Sequence, residues 1–203
     1  SSFLPRPSDP AESLVAGLTF TALTNIVPST HEFGPGTVVP MLRFGLRANH
    51  ADITVNRLVI ENKGTFPFVT DPTSTKGIKK IRIFEDTNGD DEFDGDNSGD
   101  TLISTLSLGN GNTASKAELT LNGSSGLSIK TFNDDTSIFY PANKEKTLFI
   151  VYDIGEGSLD SLTTVSANAF LSGAVGKATV SGLTVTMNLL GTLPASSSPV
   201  ASV

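Results

Sequence analysis

At 203 residues, 37% hydrophobic and without a cysteine, the chain is long enough to bury a core of its own and has no disulfide framework. Twenty-one acidic residues against 14 basic ones give a formal charge of −7, which argues against a nucleic-acid partner, and no run of 18 apolar residues exists to span a membrane. Eight of the acidic residues fall within residues 85–100, where no basic residue occurs, so the other 13 are balanced by the 14 basic ones and the excess charge is local.

Residues 1–12 carry Pro5, Pro7 and Pro10 among serines and charges and read as an extended arm. The pattern then changes to period two. Leu14, Ala16, Leu18, Phe20 and Ala22 alternate with smaller or polar residues, as a half-buried strand does. After a loop ending in Gly34-Pro35-Gly36, Leu42, Phe44, Leu46 and Ala48 alternate with Met41, Arg43, Gly45 and Arg47. Ile53 and Val55 begin a strand whose second half, Leu58 and Ile60, is in the opposite phase, which predicts a bulge near Asn56-Arg57. Phe66–Val69 reads as a short edge-like piece, because Pro67 has no N–H to give a ladder.

The strand predicted over Ile78–Phe84 runs into the acidic stretch Glu85–Asp100. Beyond it, Thr101–Leu108, Ala117–Leu121 and Leu127–Phe132 are short strands parted by Gly109-Asn110-Gly111-Asn112 and by the hairpin signal Asn122-Gly123. Thr147–Ile154 is apolar on both faces and reads as a central strand. Alternation through Thr163, Val165, Ala167, Ala169 and Leu171 predicts another strand, and Ala178–Leu190 a last long one, before a low-complexity tail over 191–203. No ten-residue stretch has a helical period. The expected organisation is an arm over 1–12, one domain over 13–190 and a tail over 191–203. About nine or ten strands with turn signals every 8–12 residues predict an all-β, immunoglobulin-like β-sandwich.

The chemistry is concentrated in the acidic stretch. Asp86, Asn88 and Asp90 stand at i, i+2 and i+4 and Asp94 at i+8, the rhythm by which a turning loop aims oxygens at one calcium ion. In this register Glu92 offers its backbone carbonyl, and Asp96 or Asp100 completes the shell. Asp94, Asp96, Ser98 and Asp100 form a second, offset rhythm that allows a second ion or a shared site. The EF-hand pattern is only partly met, since Asp91 stands where that loop has Gly and Asn97 where it has a bidentate Glu. With strands on both flanks, the expectation is a Ca²⁺ loop on a β-hairpin, not a helical hand.

Three segments together carry a resemblance: Val39-Pro40-Met41-Leu42-Arg43-Phe44, the run Ile81-Arg82-Ile83-Phe84-Glu85-Asp86-Thr87-Asn88-Gly89-Asp90, and Leu148-Phe149-Ile150-Val151-Tyr152-Asp153-Ile154. This pattern resembles the calcium-binding, immunoglobulin-like β-sandwich modules of secreted and cell-surface proteins of bacteria and archaea. The likeness spans roughly residues 38–171, and the acidic loop is its only chemically specific part. It implies structural or adhesive work and no catalysis.

The residues themselves point the same way. His31 and His50 are the only histidines, both in polar loop-like settings, and no Gly-x-Ser-x-Gly nucleophile elbow occurs. Paired carboxylates for glycoside hydrolysis exist only within the acidic loop, where calcium has the stronger claim. A sugar-binding platform is the rival reading, but the chain lacks Trp, and of its two tyrosines, Tyr140 and Tyr152, the second is in phase with the core residues Leu148 and Ile150. A surface glycan is therefore the alternative partner. The first expectation is a homopolymer, with Leu14–Ala22 adding as a strand to the sheet of a neighbouring copy and Ala178–Leu190 as the alternative donor. The absence of a starting Met points either to a processed export signal or to a trimmed chain. A weak acidic calcium site suited to millimolar calcium favours the first, an extracellular or cell-surface protein released from an export signal.

Overall fold

The computed structural model describes residues 17–23, 33–49, 51–95, 99–130, 145–157, 165–180, 183–186, 188–190 and 200–201. The predicted arm over 1–12, Leu14, Ala16, His31, His50, Asp96, Ser98, Tyr140 and tail residues 191–199 and 202–203 lie outside them.

The described residues hold thirteen strands and no helix: β1 (Gly17–Ala22), β2 (Val38–Asn49), β3 (Ile53–Glu61), β4 (Ile78–Asp86), β5 (Asp100–Ser107), β6 (Lys116–Thr120), β7 (Leu127–Ile129), β8 (Lys146–Ile154), β9 (Val165–Ser166), β10 (Phe170–Val180), β11 (Leu183–Thr186), β12 (Asn188–Leu190) and β13 (Val200–Ala201). One sheet runs β12-β1-β2-β8-β4-β5 and the other β11-β10-β3-β6, with β7 also on β3. A small third ladder joins β13 to β9. All pairings between these strands are antiparallel except that of β1 with β12, which is parallel.

Period-two alternation places one face of each sheet in a shared core. Leu42, Phe44, Leu46 and Ala48 of β2, Ile81 and Ile83 of β4, and Leu148, Ile150 and Tyr152 of β8 meet Ile53, Val55, Leu58 and Ile60 of β3 in one buried cluster. That continuity makes the two sheets a β-sandwich. β8 lies between β2 and β4, and its doubly apolar sequence follows from that position. The predicted bulge is present: β10 pairs Val175 with Arg57 and Gly176 with Val55, skipping Asn56, where the buried phase of β3 changes. Pro40 sits within β2 beside a register break against β8, beyond the stretch that pairs with β1, so its missing N–H disturbs little. Between Phe66 and Val69 the only ladder contact is a parallel bridge from Phe68 to Ile78.

Two expected strands are divided. Of the run through Thr163–Leu171, Thr163 lies outside the described residues and the part from Val165 gives only β9 and the start of β10, because Asn168 exchanges ladder bonds for side-chain bonds. Its amide N–H donates to Asn62 Oδ1 at 3.1 Å, and its own Oδ1 accepts the Lys63 N–H at 2.7 Å. The run Ala178–Leu190 is not one strand either, since β11 turns back on β10 with Val180 opposite Leu183. The intervening Ser181-Gly182, a turn signal in the sequence, lies outside the described residues.

The same corner holds the buried hydroxyl of Tyr152. It donates to the Asn168 carbonyl at 2.9 Å, and its ring meets Phe68 edge-on at 5.6 Å. Tyr152→Phe keeps the ring and removes the hydroxyl's bond to that carbonyl, a loss of about 0.5–1.5 kcal/mol. Urea denaturation should show a lower midpoint at an unchanged slope.

Candidate metal centre

The acidic loop begins where β4 and β5 part. Asp86 and Asp100 are their last paired residues, and the Thr87 and Asn88 amides both donate to the Gly99 carbonyl, at 3.2 and 3.1 Å. A Cβ on Gly99 would lie 2.3 Å from Asn88 Nδ2 and 2.6 Å from Asp94 Oδ2, so both side-chain ends would have to swing away from the neck. Asn88 and Asp94 therefore both lie against the hairpin neck.

Within the loop, the side chains of alternate residues accept bonds from loop amides a few residues on. Asp86 accepts the Gly89 N–H at 2.6 Å and the Asp91 N–H at 3.1 Å on its two oxygens. Asn88 Oδ1 accepts the Asp90 N–H at 3.2 Å, and Asp90 Oδ1 accepts the Glu92 N–H at 2.9 Å. The Asn88 amide nitrogen donates to both Asp90 Oδ2 (2.7 Å) and Asp94 Oδ2 (3.0 Å), so it occupies the space between two carboxylates. Among the described residues no three acidic groups already stand at metal-ligand spacing, since their oxygens cap loop amides and the Asn88 amide. Glu92 contributes its amide to this network and keeps its side chain exposed. Asp96, the remaining candidate ligand, lies outside the described residues.

Asp91 resolves the mismatch noted in the sequence. It adopts φ +66°, the left-handed conformation for which Gly is the usual residue at that loop position. The backbone makes the turn without the glycine.

Asp100 is the most unusual group in the loop. Only 9% of the residue is exposed, its Oδ2 accepts the Asp94 N–H at 2.7 Å, and among the described residues its Oδ1 has no hydrogen-bond partner. Burial pushes its carboxyl above the ordinary range; the charges of Asp86 and Asp94 add to this, against the opposing Asp94 and Gly95 amides. A buried, half-satisfied carboxylate among other carboxylates is a position that a cation relieves.

The loop is also held from below. The outer face of the six-stranded sheet carries its own apolar cluster of Phe84, Phe149 and Val151, covered by Phe93. The Phe93 ring stands 5.1 Å from Phe84 and 5.7 Å from Phe149, tilted edge-on to both. From β2, Arg43 Nη1 donates to the Asp91 carbonyl and approaches Asp91 Oδ1 at 3.9 Å. Beside the neck, Glu85 is ion-paired with Lys146, and a cleft of about 470 Å³ lined by Glu85, Asp86, Asp91 and Glu145 opens there. The spacing of ligand types did not reveal Phe93 or Arg43 as parts of this site. The available signal was a lone aromatic residue set between Glu92 and Asp94.

β1, the segment expected to join neighbours, is paired within its own chain here. It runs from Gly17 opposite Asn49 to Ala22 opposite Phe44 on β2, and parallel to β12 on the other side. Leu18 and Phe20 are buried in the core and Ala22 is exposed.

No protein-family model matches the chain, and no curated protein is significantly similar to it in sequence. No helix among the described residues is long and apolar enough to cross a membrane.

Proposed function

We propose that this chain is a non-catalytic extracellular structural protein: an immunoglobulin-like sandwich stabilised by Ca²⁺ in the β4–β5 loop, which assembles with copies of itself by exchanging a terminal strand. The calcium reading is carried by Asp100, a carboxylate nine-tenths buried with an unpartnered oxygen beside Asp86 and Asp94. Asp86, Asp90, Asp94 and Asp100 supply carboxylate oxygens, Asn88 its amide oxygen after turning over, and Glu92 its carbonyl, about the six hard oxygens that calcium takes at minimum. Asp96 is the further candidate for the shell. The exchange reading is supported by the sheet order, in which β1 and β12, strands far apart in sequence, share one edge of the larger sheet.

The test is a calorimetric titration of the chelated full chain, with calcium uptake expected by millimolar concentration. Asp100→Asn should weaken that uptake at least about tenfold, yet raise the melting temperature in chelator by a few degrees, because it removes a buried like charge. Opposite signs in the two conditions separate a ligand from a residue that merely holds the fold. A wild-type chain that takes up no calcium sinks the reading.

A further inference from the structure

Five of the ligands named above are side chains that adjust to an ion by rotating, but the Glu92 carbonyl moves only with the backbone. Its position depends on what holds residues 91 and 93. Both are tied to the outer face of the six-stranded sheet: the Asp91 carbonyl by Arg43, whose side chain is only 15% exposed, and Phe93 by Phe84 and Phe149, both fully buried. Asp91 is in turn kept in its left-handed conformation while its N–H bonds back to Asp86. The segment is thus pinned on each side of Glu92 to strands β2, β4 and β8, which have no freedom to follow an ion.

The size of the cation matters in such a loop. Ca²⁺ accepts oxygens at 2.3–2.6 Å in flexible geometries, whereas Mg²⁺ requires near-octahedral ligands at 2.0–2.1 Å. A loop fastened to a sheet cannot draw its carbonyl inward to meet the smaller ion. We propose that Phe93 and Arg43 are positioning residues that hold the acidic loop open at the size of calcium and so make the site discriminate against magnesium. This rests on the calcium reading, and on the buried Asp100 oxygen that motivates it.

The experiment measures calcium and magnesium affinities separately for the wild-type chain, Phe93→Ala, Phe93→Leu and Arg43→Gln. Phe93→Ala should weaken calcium about tenfold while changing magnesium less than about twofold, because the freed loop loses preorganisation for the large ion and gains the ability to contract. Phe93→Leu keeps apolar cover and should restore most of the selectivity. Arg43→Gln should lower the calcium-to-magnesium preference at least about threefold by releasing the other anchor, and it provides the same readout if Phe93→Ala does not fold. Wild-type selectivity in both anchor variants, or equal loss for both ions, overturns the positioning role while leaving calcium binding intact. A wild-type chain that binds no calcium overturns both ideas.

Discussion

Chelating calcium should lower the melting temperature of the full chain by roughly 5–10 °C while leaving its β-type circular dichroism at 25 °C unchanged. An ion that binds only the folded state adds RT ln(1 + [L]/Kd), about 2.7 kcal/mol at a hundredfold excess over Kd. A chain of this size shifts by about 2–4 °C per kcal/mol. The sandwich should survive the loss, because its core of Phe44, Ile60, Ile150 and Tyr152 makes no use of the loop. The loop nevertheless joins β4 to β5 and lies over β2 and β8, so its order is linked to four strands of the larger sheet. Differential scanning calorimetry in calcium and in chelator checks this. An unchanged melting point contradicts a stabilising ion, and loss of the β spectrum on chelation contradicts a core that stands alone.

What was legible in the sequence depended on whether the signal was local. The alternation of Leu42, Phe44, Leu46 and Ala48 locates the inner face of β2, and the phase change between Val55 and Leu58 locates the bulge, because a strand writes its burial in period two. The amide bonding of Asp86, Asn88 and Asp90 is local too, each accepting from an amide two to five residues on. What was hidden involves distant partners. Asn168 breaks a strand pattern by bonding Lys63 and Asn62, more than a hundred residues earlier. Phe93 belongs with Phe149, and Asp91 with Arg43, through contacts that no spacing rule within the loop encodes. The φ of Asp91 is less legible, since Asp visits the left-handed region only occasionally.

Deleting residues 1–22 should destabilise the domain more than any single substitution considered above and should abolish fibres of the full-length type. β1 buries Leu18 completely and Phe20 to 4% exposure, and its Thr19 Oγ1 accepts a bond from Asn49 Nδ2 at 2.6 Å. Removing two such side chains costs about 2–5 kcal/mol each, against a total stability of about 5–15 kcal/mol, and it also strips the ladder from β2 and β12. The pairing of β1 within its own chain does not oppose exchange. A closed monomer and an exchanged polymer make the same strand contacts and differ only in which copy supplies the strand. A peptide of residues 13–23 added to the truncated protein should therefore restore cooperative melting, because backbone bonds to β2 and the seats of Leu18 and Phe20 are all it needs. It should restore folding without fibres, since a free peptide fills the groove and links nothing. Electron microscopy and thermal melts of the truncated chain, with and without peptide, give the answer. A truncated protein that stays folded and still builds full-length fibres excludes β1 as the joint.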